Sequence, residues 1–436
     1  MKILKMIRHD SELRKNMLVI ILILAGIRLF YSVPVPGINI NYFADILKAN
    51  SALGFMNVLT GNGLSNMSVM MLNITPFITA SIIMQLMGNI FPRLQEMQKG
   101  LKTEQKKYEN ITIVLGIIFA FAESCAIAIG YGANGLFKEF TWYWAVSAIA
   151  AWTIGSAAAS LLGKHIQEKY TVNGTSLILL LNVISGYLTG AKQVYHTFVK
   201  TEDASVSKVI GGISIGIIAL ILTVALFVFT YVIAESERKI KVVYAGKSTQ
   251  NGLISTDDLP LKLCPGSVVP IIFASSIMST PVLIAGAFTG KTDALWARIL
   301  SSNNWFTPGD WVPTIGFAVY IALIFAFSFY YVDFSMNPKE IADNLKKAGG
   351  TIPKVRPGAE TAKYIRHQFN GVVFLGAAAL SVIAALPIIV SGLFGLNKLA
   401  FFGTSVIITV GIFCDLKRHL QARTYYGTYK GKEGLF

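Results

Sequence analysis

Charge, cysteine and histidine are all scarce in this sequence, and each shortage excludes something. Only 14% of the 436 residues are Asp, Glu, Lys or Arg, against about a quarter in soluble domains. A water-soluble globule is therefore excluded. The three cysteines, Cys125, Cys264 and Cys414, cannot make a complete disulfide framework and lack metal-ligand spacing. The five histidines include no pair at i,i+4, and no phosphate loop or nucleophile motif stands out. The chain offers no enzyme active site and calls for no metal or cofactor.

Hydrocarbon fills the space instead: 53% of residues are hydrophobic and the mean hydropathy is +0.57. Apolar runs fall near 17–33, 69–90, 110–130, 142–163, 173–191, 209–234, 266–286, 311–332, 368–391 and 397–415. Each is close to the roughly 20 residues that cross a bilayer as helix. The pattern predicts an all-α polytopic membrane protein with ten spans. No small-residue cleavage site follows the first run, which is read as a retained span.

Lys and Arg set the orientation. With the N-terminus in the cytosol, 29 of the 38 Lys and Arg fall on the inside and eight on the outside, with Arg28 within the first span. That bias fixes the topology by the positive-inside rule and puts the tail, 416–436, inside as well. Ten spans divide into an N-terminal half, 1–191, and a C-terminal half, 209–415, joined by an external hinge segment, 192–208. An odd number of spans per half gives inverted topology, as in inverted-repeat folds.

One stretch departs from the simple pattern. In 49–87, "ANSALGFMNVLTGNGLSNMSVMMLNITPFITASIIMQLM", a semi-apolar start breaks at Gly61-Asn62-Gly63 before the run becomes continuous. The part at 52–60 is too short to cross. It is either a re-entrant half-helix, shielded by protein or a water cavity, or an amphipathic helix on the outer surface.

Ionisable residues within spans are the default functional candidates, and there are few. Arg28 is placed to snorkel at the outer end of span one. Glu123 lies outward of the middle of span three, alone, where a proton-coupled transporter would carry several acids. Ile74 and Ile78 share a face of span two at i,i+4. They fit either a dewetting collar of aliphatic side chains or ordinary packing.

The inside insertions carry the clearest local code. In 337–348, Asn337 suits an N-cap, Pro338 the first helical position and Glu340 a capping-box partner. Lys346 and Lys347 occupy the last turn, with Gly349 placed to end the helix. Arg356-Pro357-Gly358-Ala359 has the residues of a type II turn, and a second polar helix, about 360–367, leads into span nine. The loop 235–262 alternates in "KIKVVYA" and holds Asn251-Gly252, which predicts a hairpin. The two basic projections, 235–262 and 333–367, suit ribosomal RNA phosphates or an acidic partner protein.

These stretches, in order, resemble the SecY family: the central subunits of the bacterial protein-conducting channel and their archaeal and eukaryotic counterparts. The resemblance runs through "RLFYSVPVPGI" (28–38), "TPFITASIIMQL" (75–86), "AESERKIKVVYA" (234–245) and "LPLKLCPGSVVPIIFASSIMSTP" (259–281). It continues through "NPKEIADNLKKAGGTIPKVRPGAETAKYI" (337–365) and "FFGTSVIITVGIFCDL" (401–416). It implies an hourglass channel in the cytoplasmic membrane whose two halves hinge between spans five and six. The implied pore ring is Ile74, Ile78, Leu179, Val183, Ile272 and Ile408, with a re-entrant plug at about 52–66. The implied lateral gate, between spans two/three and seven/eight, carries Thr79, Glu123 and Thr280. Arg238, Lys239, Lys241, Lys354 and Arg356 become docking residues for the ribosome or the SecA ATPase. Small SecE and SecG type membrane subunits, signal sequences, nascent membrane proteins and the lipid bilayer complete the implied partners. The family's Gly-rich stretch before span five is "TVNGT" (171–175) here, Lys164 replaces a common acid, and 235–262 is poor in arginine. A specialised accessory paralogue, a secondary transporter with inverted repeats and a non-conducting membrane scaffold are the competing readings.

Overall fold

The computed structural model describes residues 11–40, 57, 60–139, 141–170, 172–198, 221, 223–248, 254–264, 266, 269–289, 295–300, 305, 311–394 and 405–418. Much of the expected plug (52–56, 58 and 59), half of span six, part of span ten, the Asn251-Gly252 turn and most of the tail lie outside these residues.

Helix α1 is Ser11–Phe30. Helix α2, Thr75–Ile90, turns sharply at Phe91-Pro92 into α3, Pro92–Lys99. Proline at the first position of α3 has no N–H to leave unpaired, so it starts a helix well and continues one badly. Helix α4, Lys102–Tyr131, ends in a π-turn, Gly132–Leu136. Next come α5, Trp142–Tyr170, α6, Gly174–Phe198, and α7, Thr223–Glu235. Strands β1, Glu237–Ser248, and β2, Ile254–Lys262, lead into α8, Val269–Thr289, and the short α9, Leu295–Leu300. The chain continues through α10, Thr314–Ser335, α11, Pro338–Lys347, β3, Gly350–Thr351, α12, Ala359–Phe394, and α13, 405–418. Among the described residues four helices are long and apolar enough to cross a membrane, or up to five with the bent α2–α3 pair.

Three expectations shift. Span two does not begin at 69: residues 60–74 are turns, mostly buried, and the helix starts only at Thr75 with Ile74 as its N-cap. Met67 and Asn73 adopt left-handed backbone (φ 45° and 52°), which a helix excludes and hydropathy does not report. The first part of the expected hinge, 192–198, is the end of α6. The polar helix before span nine is not separate, because α12 runs unbroken for 36 residues from the polar stretch into the apolar one.

The all-α reading also gains a small sheet. Antiparallel β1 and β2 pair Glu237 with Lys262 and Ile240 with Leu259, and β1 pairs Tyr244 with Gly350 of β3. The sheet order β2-β1-β3 joins the two insertions, so the two projections are one body. Ile240 and Val242 pack with Leu345, Ile365 and Phe369 beneath it. Alternation puts these two on one face of β1 and Lys239 and Lys241 on the other.

The membrane region has two apolar clusters. One gathers Val35, Leu64, Met71, Ala120, Ile127 and Trp152 around α4 and α5. The larger draws on α1, the 60–74 segment, α6, α8, α10 and α13. Apolar side chains such as Leu18, Leu22, Ile118 and Ile154 remain exposed outside these clusters, as a lipid-facing wall requires.

Candidate pore, gate and docking surfaces

All six expected ring residues meet in the larger cluster. Ile74 caps α2, Leu179 and Val183 lie on α6, Ile272 on α8 and Ile408 on α13; all five are buried, and Ile78 packs against them. Four separate stretches of chain thus bring six aliphatic side chains together. Met70, Met278 and Ile27 share the cluster, so collar and packing are parts of one apolar body here.

Against this cluster sits the turn segment that begins at Thr60. Its conformation is fixed by short-range hydrogen bonds: Asn62 N–H donates to the Asn57 carbonyl at 2.8 Å and Ser65 N–H to Asn57 Oδ1 at 2.9 Å. Arg28 does not snorkel. Its Nη1 donates to the Gly61 carbonyl at 2.8 Å and its Nη2 to the Ser185 hydroxyl, with the guanidinium 5.3 Å from the Tyr31 ring centre. Buried Tyr31 donates to Asn182 Oδ1 at 2.8 Å. Sequence reasoning found Arg28 but not its partners, which stand 33 and 157 positions away. Asn182 and Ser185, polar residues three apart in an apolar helix, were the available signal.

The expected gate residues sit on the facing helices α2, α4 and α8. The Thr79 hydroxyl donates to the Thr75 carbonyl of its own helix at 3.3 Å. Glu123 is 5% exposed, and its Oε2 has no partner among the described residues. Thr280 is half-buried just before Pro281. No hydrogen bond joins the three among the described residues, and helix packing alone brings their elements together. The bonds that do cross this seam lie farther along it, beside α3 and α11. Tyr330 of α10 donates to the Gln85 carbonyl of α2 at 3.1 Å. Lys99 of α3 pairs with Glu340 of α11 at 2.8 Å. Glu340, expected to serve a capping box, thus reaches across to α3.

The expected docking residues are all exposed but do not share one face. Lys239 and Lys241 lie on the solvent face of β1, with Asp258 opposite Lys241 in register, which offsets part of its charge. Arg238 lies on the other face of the strand. Lys354 (φ 66°) and Arg356 form the turn before α12. The Asn337 side chain accepts from Lys339 N–H at 3.1 Å, as an N-cap does. Gly349 and Gly358 take positive φ (70° and 105°), as the helix stop and the turn demand. At the base of β1, Lys417 of α13 donates to Glu235 and to the Tyr231 hydroxyl, both at 2.8 Å. The Lys417 bond holds the Glu235 carboxyl below the usual range, and the Glu235 and Tyr231 bonds raise the Lys417 ammonium above its own.

A helical membrane body with aliphatic residues from four stretches in one cluster, an irregular buried segment against it and a basic projection on one side is the fold of the protein-conducting channels. A solved structure described as showing that the plug domain of SecY stabilises the closed channel and maintains a membrane seal superposes with a TM-score of 0.62. It is 16% identical, with 94% of this chain and 91% of that one covered. Sec61 in the canine ribosome-channel complex gives a TM-score of 0.58 at 18% identity, over 93% and 91% of the two chains.

The chain belongs to the SecY family, whose model matches residues 68–417. The protein translocase subunit SecY of Synechocystis sp. is 30% identical over 439 residues, with 97% of this chain and 94% of the relative covered. Membership makes the chain a multi-pass membrane protein and the channel of a protein translocase. It conducts polypeptide and is not an enzyme. The transporter and scaffold readings fall away.

Proposed function

We propose that this channel is sealed at rest by a ring of Ile74, Ile78, Leu179, Val183, Ile272 and Ile408, backed by a plug at about 52–66. Ten spans in two inverted five-helix halves, hinged at the external segment between spans five and six, surround the ring, with both termini in the cytosol. The observation that carries the reading is the burial of five of these side chains in one cluster drawn from four separate stretches, with partly buried Ile78 packed against it. An aliphatic constriction excludes ions by dewetting and needs no charge.

The seam between α2/α4 and α8/α10 is the lateral gate, bearing Thr79, Glu123 and Thr280, through which apolar segments pass into lipid. Selection there is physical: one charge at a helix centre costs about 2.5–3.5 kcal/mol on insertion scales. The projection with Lys239, Lys241, Lys354 and Arg356 docks the SecA ATPase or the ribosome, which supply the driving energy, and Arg238 flanks it. The ribosome-bound state of the structural neighbour Sec61 supports the second of these partners. Small SecE and SecG type subunits brace the two halves.

The test is Ile408→Asn combined with Ile78→Asn in the assembled complex. The expected result is raised ion leak in planar bilayers together with relaxed signal-sequence selection. Wild-type conductance in the double variant would sink the ring assignment.

A further inference from the structure

The segment that begins at Thr60 is held by more than apolar contact. Gly61 presses on α6 so closely that a Cβ there would lie 2.9 Å from Asn182 Oδ1 and 3.0 Å from Asn182 Cα. Its left-handed φ of 62° suits glycine for a second reason. The Gly61 carbonyl takes the Arg28 guanidinium, which also holds Ser185, and Tyr31 ties the end of α1 to Asn182. Two stretches of α1 and its exit, one turn segment and one helix of the ring therefore meet at a single polar node. No carboxylate pairs with Arg28 among the described residues. Its charge is met by a carbonyl, a hydroxyl, an aromatic face and the C-terminal end of its own helix. Leu179 and Val183, which flank Asn182 on α6, belong to the proposed ring.

Moving residues 60–66 out of this position breaks a charge-assisted hydrogen bond and strips the guanidinium of its carbonyl in a poorly solvated place, where such bonds are strong. A purely apolar seal has no such discrete threshold. We propose that Arg28, Tyr31 and Asn182 form a polar latch that fastens the 60–66 segment to α6 and sets how hydrophobic a translocated segment must be to open the channel. The latch rests on the channel reading above and adds specificity-determining residues to it.

The experiment uses the assembled complex, in planar bilayers for resting conductance and in proteoliposomes for translocation. The reporters carry either an intact or a hydrophobically weakened signal sequence. Transport of the intact reporter by the wild type establishes the channel reading independently; its absence would overturn that reading and the latch with it. Arg28→Gln and Asn182→Gly are expected to raise resting open probability at least about tenfold, equivalent to about 1.4 kcal/mol, and to admit the weakened reporter. Arg28→Lys, which keeps the charge without the two-pronged donor geometry, falls between. Tyr31→Phe removes one oxygen, leaves the ring over Arg28 and gives a smaller shift in the same direction without endangering the fold. Wild-type leak and selectivity in Arg28→Gln and Tyr31→Phe, at equal amounts of assembled complex, would overturn the latch.

Discussion

The seam bonds Tyr330–Gln85 and Lys99–Glu340 should contribute unequally to keeping the proposed lateral gate closed, and differently with salt. Tyr330 donates one neutral hydrogen bond, at 3.1 Å, from a half-buried site. Such a bond is worth about 1 kcal/mol net, so Tyr330→Phe should raise the open fraction about fivefold. Lys99 and Glu340 are closer, at 2.8 Å, but their side chains are 39% and 57% exposed. Exposed pairs contribute about 0.2–1 kcal/mol, so Lys99→Gln should do less despite the shorter distance. At 1 M salt the screening length is about 3 Å, and the Lys99→Gln effect should vanish while that of Tyr330→Phe persists. Dyes on cysteines replacing Glu96 of α3 and Asn344 of α11, with Cys125 replaced by Ser, would report the separation in single resting molecules. A Lys99→Gln effect as large as that of Tyr330→Phe, or one that survives 1 M salt, would refute the reasoning.

Two further outcomes are expected. Arg356→Glu should cut translocation several-fold while melting temperature and complex assembly stay at wild-type values, because the side chain is exposed; an unchanged rate would remove it from the docking surface. The Glu235–Lys417 clamp, with one pKa lowered and the other raised, should stabilise the fold fully between the groups' ordinary values of 4.5 and 10.5. Its contribution should disappear as pH falls through the lowered carboxyl value or rises through the raised ammonium value. Glu235→Gln should therefore lower the melting temperature at pH 7 and do so less at pH 3, below the ordinary carboxyl value, and a gap of equal size at both would contradict the clamp.

Features governed by near neighbours could be recognised from the sequence, and features governed by distant partners could not. The cores of α4 and α5 follow from hydropathy because a membrane helix satisfies its own backbone. The Asn337 cap, the Gly349 stop and the turn at Gly358 follow because each depends on a few adjacent residues. The start of α2 was misplaced because "VMMLNI" (69–74) is as apolar as a span; only the backbone, with Asn73 at positive φ, separates turn from helix. Strand β3 is two residues long, and its pairing with β1 joins segments about a hundred positions apart, beyond any local pattern. Arg28 was visible as an isolated cation, but its meaning depends on Gly61, Asn182 and Ser185. The six aliphatic candidates for the ring were identified through family resemblance, since isoleucine at helical spacing has the same appearance in any apolar core.

Helix α12 carries a mechanical consequence. At about 1.5 Å per residue, its 36 residues make a rod of roughly 54 Å, rooted at the Arg356 turn and running on through the whole apolar stretch of span nine. Beside its N-terminal part, β1 and α11 pack onto Ile365 and Phe369, so the sheet and the rod share one core. A load applied at the basic turn cannot be absorbed by a loop, because none separates the turn from the membrane. Thrust from the proposed docking partner would arrive as a tilt of the channel wall itself, and Pro387, inside the helix, lacks the N–H that would stiffen the rod there.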